Sequence, residues 1–205
     1  VFRVMGTQGE ERLRPDVTFV PMPLLHYPNL PARLLARAPE LRQLFAGIEL
    51  TGDLREPDLQ SLAAERPLYI ELDGRVPVAL YETLAPEGLY ARVLPGGATD
   101  TDIQEGREAQ QAVWAQLLLE AGPHLDPETR AQVLYRRFHD AMFLAAVGDR
   151  KGARAAIDTV LRVAPDEAVA RELAAVLSVP DETGPVDREV LQHLFQRVGG
   201  EAETP

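Results

Sequence analysis

The stretch from Leu134 to Glu167 constrains the fold more than any other part of this chain. Apolar positions recur at helical spacing on both sides of Gly148-Asp149, and Pro165 ends the pattern. A glycine can close one helix, an acid can cap the next, and a proline cannot continue a helix interior. Small residues, Ala141, Ala145, Ala153 and Ala156, stand where two antiparallel helices would touch, with Phe138, Leu144, Ile157, Val160 and Leu161 flanking them. Missing side-chain bulk at the crossing lets two backbones approach, so the stretch predicts a helical hairpin.

Composition sets the outer bounds. With 205 residues, 45% of them apolar, the chain can bury a sizeable core in one large domain or two small ones. Its formal charge of -11, from 32 acidic against 21 basic residues, argues against nonspecific attraction to nucleic acid or an anionic membrane surface. A basic or neutral partner fits that balance better. Lys151 is the only lysine. The absence of cysteine removes disulfides, thiolate nucleophiles and Cys-ligated metals as options. No apolar run approaches the roughly 18 residues that span a bilayer. The chain opens at Val1 without an initiator Met or a signal-like segment, which reads as a fragment or processed product with any targeting or membrane segment upstream.

Along the chain, residues 1 to 13 fit either a strand over Phe2 to Met5 or a helix running to Leu13. Val17 to Val20, bounded by Pro15, Pro21 and Pro23, predicts a short buried strand. A helix follows from Pro31, with a kink or break at Pro39 and an end near Gly47, and a shorter one lies within Asp53 to Glu65. Leu68 to Leu72 alternates apolar and polar residues and predicts a strand with one wetter face, and Gly88 to Leu94 predicts another, closed by Pro95-Gly96-Gly97. Strands separated by helical stretches favour an α/β layer. Gly96 to Thr101 is the expected domain boundary, because no strand pattern follows it. Thr101 and Gln104 form a candidate capping box for the next helix, which runs to about Ala121. Asp126-Pro127-Glu128 starts the first hairpin helix. Asp166 is expected to cap a helix to about Leu177, and Pro185 to open the last one, to Gly199.

Candidate chemistry is sparse. His26, His124, His139 and His193 are scattered without a second ligand at metal-binding spacing, and read as surface or structural histidines. Asp100 and Asp102 bracket Thr101, where helix-start chemistry outweighs cation binding. Gly96-Gly97 lacks the spacing of a phosphate fingerprint and reads as a turn. Ser61 and Ser178, the only serines, sit outside any nucleophile elbow. The acidic clusters Glu10-Glu11 and Glu201 to Glu203 read as solvated, and Tyr81, Tyr90 and Trp114 read as core in preference to a sugar platform. These residues name no catalytic, cofactor-binding or metal-binding set.

Counting Leu134 as first, Ala141 falls eighth, Gly148 fifteenth, Ala153 twentieth, Ile157 twenty-fourth, Val160 twenty-seventh and Pro165 thirty-second. This resembles one tetratricopeptide repeat of about 34 residues. Three further segments carry a second resemblance: Arg14-Pro15-Asp16-Val17 running into Pro21-Met22-Pro23-Leu24-Leu25, then Arg66-Pro67-Leu68-Tyr69-Ile70, then Pro86-Glu87-Gly88-Leu89-Tyr90-Ala91-Arg92-Val93-Leu94-Pro95. Their order is similar to the soluble portion that follows the membrane helices in polytopic proteins related to the protein O-mannosyltransferases, a family catalogued as a domain of unknown function. The resemblance covers roughly residues 1 to 97, and some bacterial members end in tetratricopeptide-like helices. It implies a lipid-linked-sugar-dependent membrane glycosyltransferase as the parent, whose catalytic carboxylate would lie outside this chain, and a helix over residues 1 to 13. Pro21-Met22-Pro23 departs from the family's more ordinary strand end.

The resulting expectation is a small α/β domain over 1–97, an all-α tetratricopeptide-like region over 98–200 and a frayed tail at 201–205. The expected role is a non-catalytic extracytoplasmic, periplasmic accessory domain that binds a polypeptide or the parent's membrane-embedded part, without inserting into the membrane itself. Its partner-binding face is expected at Arg137, Asp140, Leu144 and Arg171, on the concave side of the 127–177 helices. A free-standing, cytoplasmic tetratricopeptide-type interaction module is the alternative. A small enzyme would need a deep pocket holding a perturbed carboxylate or histidine.

Overall fold

A computed structural model describes residues 16–22, 25, 27, 29–52, 54–72, 76, 78–117, 125–179 and 184–200. The expectations placed on residues 1–13, His26, His124, the Glu10-Glu11 pair and the 201–205 tail lie outside these. The chain divides into two units, Val1–Gly52 and Asp53–Pro205.

In the first unit, α1 (Asn29–Arg37) and α2 (Arg42–Thr51) flank a 3-10 turn at Pro39–Leu41. The break at Pro39 is where the ring fixes φ and removes a donor; the preceding Ala38 takes φ -139 and its amide closes α1 on the Leu34 carbonyl at 2.8 Å. The helix does not end near Gly47. Gly47 is buried inside α2, which runs on to a left-handed cap at Gly52. Leu34, Ala38, Leu41, Leu44 and Phe45 are buried. Val17 to Val20 is neither a strand nor buried: Val17 is exposed and the next three are half-buried.

The second unit begins with α3 (Glu56–Glu65), whose start is tied by Arg55 donating Nε and Nη2 to the buried Asp58 carboxylate at 2.7 and 2.9 Å. Three short strands follow: β1 (Tyr69–Ile70), β2 (Leu84–Glu87) and β3 (Tyr90–Val93), in the order β1-β3-β2 and antiparallel throughout. Tyr69 faces Arg92, and Leu84 faces Val93. The mixed region is therefore a small antiparallel sheet with helices and a 3-10 segment, Val78–Thr83, around it. Leu72, Leu84, Ala91 and Val93 are buried, while Tyr69 and Tyr90 are exposed, as the alternation predicts.

The remaining elements among the described residues are helices: α4 (Asp100–Gln116), α5 (Pro127–Ala146), α6 (Arg150–Val163), α7 (Ala168–Val176) and α8 (Arg188–Gly200). The expected boundary at residues 96–101 does not divide the unit, because α4 lies directly on β2. A Cβ added at Gly106 would stand 2.1 Å from the Pro86 carbonyl oxygen, so the approach admits only glycine. The capping box is also displaced by two residues. Thr99 accepts from the Asp102 amide at 3.2 Å, and Asp102 accepts from the Thr99 amide at 2.8 Å. Asp102 also accepts from the Thr99 hydroxyl, and that bond, followed by the one from the Thr99 amide, holds the Asp102 carboxyl below its ordinary range.

Candidate functional site

The α5–α6 hairpin forms where its caps place it. Asp126 accepts from the Thr129 amide at 3.0 Å with Pro127 following it, and Asp149 accepts from the Gly152 amide at 2.9 Å. Between the helices Gly148 turns with φ 89, a conformation side-chain-bearing residues rarely adopt. Ala141, Ala145, Ala153 and Ala156 are all fully buried, with Phe138, Leu144, Ile157 and Val160, while Leu161 is half-buried. Val186 donates its amide to the Ala145 carbonyl at 2.9 Å, so the segment entering α8 closes the end of α5. The starts of α7 and α8 differ from expectation. Glu167, not Asp166, precedes α7 and makes no side-chain cap, and α8 begins at Arg188 with the Asp187 carboxylate accepting from the Glu189 amide at 2.7 Å.

The four residues expected to form a partner-binding face do not share an accessible surface. Arg137, Asp140 and Leu144 lie on one side of α5, as spacings of three and four require, but that side is the buried one; Arg171 is exposed on α7. Arg137 pairs with Asp140 at 3.6 Å, and its guanidinium lies 5.1 Å from the centre of the Trp114 ring on α4. Opposite charges at this spacing usually mark a wet face. Here they neutralise each other inside. Burial pushes the Asp140 carboxyl up to about 6, and the Arg137 and Arg136 guanidiniums oppose that shift without cancelling it.

His139, on the same helix, is buried among rings: Tyr135, Phe138 and Phe195 lie 4.3, 5.8 and 4.8 Å away between centroids. It is a core histidine. His193 is exposed on α8. Tyr81 is buried edge-on to Phe143 at 5.4 Å, and Trp114 is buried under Arg137, whereas Tyr90 stays exposed with Arg136 5.3 Å above its ring. Arg136 also reaches the Glu71 carboxylate and the Leu89 carbonyl, which fastens α5 to the sheet. Among the described residues no group of three or more His, Asp or Glu side chains is placed to hold a metal ion.

An open groove of about 450 Å³ lies between the first turns of α6 and the end of α7, lined by Arg150, Lys151, Arg154, Ala155, Asp158, Leu177, Ser178 and Val179. Arg150 donates Nη2 to the Val176 carbonyl at 2.7 Å, and Arg154 donates Nη1 to the Ala174 carbonyl at 2.8 Å and to the Ser178 hydroxyl. Both guanidiniums donate to carbonyls in the last turn of a helix, and the Ser178 hydroxyl also donates to that of Ala174 at 2.5 Å. Arg154 also pairs with Asp158 at 3.0 Å. Asp140, the perturbed carboxylate, does not line this groove. Sequence reasoning missed the groove because its wall comes from two helices about 25 residues apart, although the unique Lys151 marks it.

The fold defines a mostly helical protein with a small antiparallel sheet, and no helix of the described residues is long and apolar enough to cross a membrane. No family model, curated protein or solved structure matches the chain.

Proposed function

We propose that this chain is a non-catalytic, polypeptide-binding accessory domain of a larger, membrane-embedded protein resembling lipid-linked-sugar-dependent glycosyltransferases, acting on the extracytoplasmic, periplasmic side. One observation carries the reading. The Arg66 to Ile70 and Pro86 to Pro95 segments, two of the three that resemble the O-mannosyltransferase-related proteins, contain β1 and β3, which pair directly. Segments that recur together are thereby joined in one small sheet. The helices after it supply the binding part, with α5 and α6 as a tetratricopeptide-like pair and α7 and α8 as a degenerate second pair.

The second reading, a free-standing tetratricopeptide-type interaction module, is favoured by the hairpin alone: a glycine corner, an interface of four fully buried alanines and a proline stop. The coding sequence immediately upstream of Val1 discriminates the two. The accessory-domain reading expects several hydrophobic spans there; a start codon close to Val1 with no spans overturns it in favour of the module. The isolated chain, supplied with a lipid-phosphate-linked sugar and an acceptor peptide, is expected to transfer none. Measurable transfer by the chain alone contradicts the non-catalytic assignment.

A further inference from the structure

We propose that the second half of α4, residues 108–116, is a proton-controlled latch on α5, with the Trp114 ring as its anchor and the Asp140 carboxyl as its trigger. The two halves of α4 are held differently. The first is fixed by the buried Ile103, by the close approach of Gly106 to the Pro86 carbonyl and by Arg107, which pairs with Asp149 at 3.1 Å. From Glu108 to Gln116 only Gln110 and Trp114 are buried, and every other residue is exposed. A segment with so few buried contacts opens at lower cost than the unit it belongs to.

Its anchor sits on charge. Trp114 is 2% exposed, with the Arg137 guanidinium 5.1 Å from the ring centre, and Arg137 reaches Asp140 at 3.6 Å. Trp114 Nε1, Arg137 Nε and Asp140 Oδ2 are buried there without a hydrogen bond of ordinary length. Lifting the indole lets water reach all three, which offsets part of the lost ring burial, most of all when Asp140 is ionised. Burial holds the Asp140 carboxyl up at about 6, against 3.8 where water reaches it. The closed seat thus binds the proton more tightly than the open one, so the latch is firmest below the ordinary value and loosens as pH rises through about 6. The charged groups acting on that carboxyl are Arg137 and Arg136, both on α5, and Arg136 also pairs with Glu71. The neighbouring elements bring neutral groups: α4 the Trp114 indole, α6 the buried Ala153, Ala156 and Ile157, and the 3-10 segment Tyr81, which meets Phe143. His139 is turned among Tyr135, Phe138 and Phe195 of α8. Opening uncovers Arg137 and Asp140, on the side of α5 where the repeat pattern places a partner; that consequence rests on the polypeptide-binding reading, and the latch itself does not.

Hydrogen exchange of the whole chain at about pH 5 and about pH 7.5, with each amide's rate corrected for its intrinsic pH dependence, reads the latch directly. Carboxyl values of about 6 closed and 3.8 open set the expected effect: protection at residues 108–116 falls about ten-fold between the two conditions, while residues 100–106 and α6 change little. Asp140→Asn is expected to abolish that difference. If Asp140→Asn does not fold, Trp114→Ala decides: it is expected to strip protection from residues 108–116 at both pH values and to leave residues 100–106 protected. Four results overturn the latch: pH-independent protection at residues 108–116, an equal loss across α4 and α6 at the higher pH, a pH dependence that survives Asp140→Asn, and loss over all of α4 in Trp114→Ala. None of them involves a partner, so the latch can fail while the polypeptide-binding reading stands.

Discussion

The α5–α6 hairpin and the three-stranded sheet each bury apolar side chains completely, and they are specified by different means. The hairpin is written in local signals: an N-cap, a corner glycine, a second N-cap and a proline, with small residues at the crossing. Each takes effect within one or two turns of chain. The sheet depends on contacts distant in sequence. Tyr69 meets Arg92 across more than 20 residues, and β2 is seated by Gly106 of the following helix. Local signals specify an element, whereas only packing specifies its neighbours.

Crowding either contact is the strongest way to break this comparison. Ala156→Leu forces a branched side chain into the fully buried hairpin interface and is expected to cost about 3 kcal/mol; Gly106→Ala drives a methyl into the Pro86 carbonyl and is expected to cost nearly as much. Urea unfolding of the two variants checks this. If Gly106→Ala is neutral, α4 does not seat on β2 as described.

Next in size is the buried pair on α5. A carboxyl held at about 6 in the folded chain against 3.8 in its ordinary state binds its proton more tightly when folded. That stability is fully present below the ordinary value and is lost as pH rises through about 6, a change of roughly 2 to 3 kcal/mol. Asp140→Asn is expected to flatten the stability profile between about pH 4 and pH 7. An unchanged profile would place the titration elsewhere.

The smallest effects are at the caps. Asp149→Ala removes the α6 cap and the 3.1 Å ion pair with Arg107, both half-buried, for about 2 kcal/mol. Thr99→Ala at the exposed start of α4 is expected to cost about 1 kcal/mol. Thermal unfolding of the two variants sharpens the contrast, because the hairpin cap also ties α6 to α4.

Legibility in the sequence follows the same division. Asp126, Gly148, Asp149 and Pro165 were each readable, since each acts on its immediate neighbours. The Leu68–Leu72 and Gly88–Leu94 segments were recognisable as strands by alternation, but β2 was not. Leu84-Ala85-Pro86 has three successive buried residues and a proline, which an edge strand tolerates and a pattern search rejects. The α4 cap was misplaced because Thr99 and Thr101 both precede an acceptor by three residues, and only the backbone path selects between them. The expected partner face failed for a deeper reason. An Arg and an Asp three apart look identical in sequence whether they face water or, as Arg137 and Asp140 do, an indole ring and a closed interior. The groove was invisible because Arg150 and Arg154 find their carbonyls on another helix.

Hydrogen exchange on the whole chain and on its Gly106→Ala variant tests the central comparison most directly. Faster exchange in β2, β3 and α4, with α5 and α6 little changed, is the predicted result. Acceleration of α5 and α6 equal to that of the sheet would contradict it.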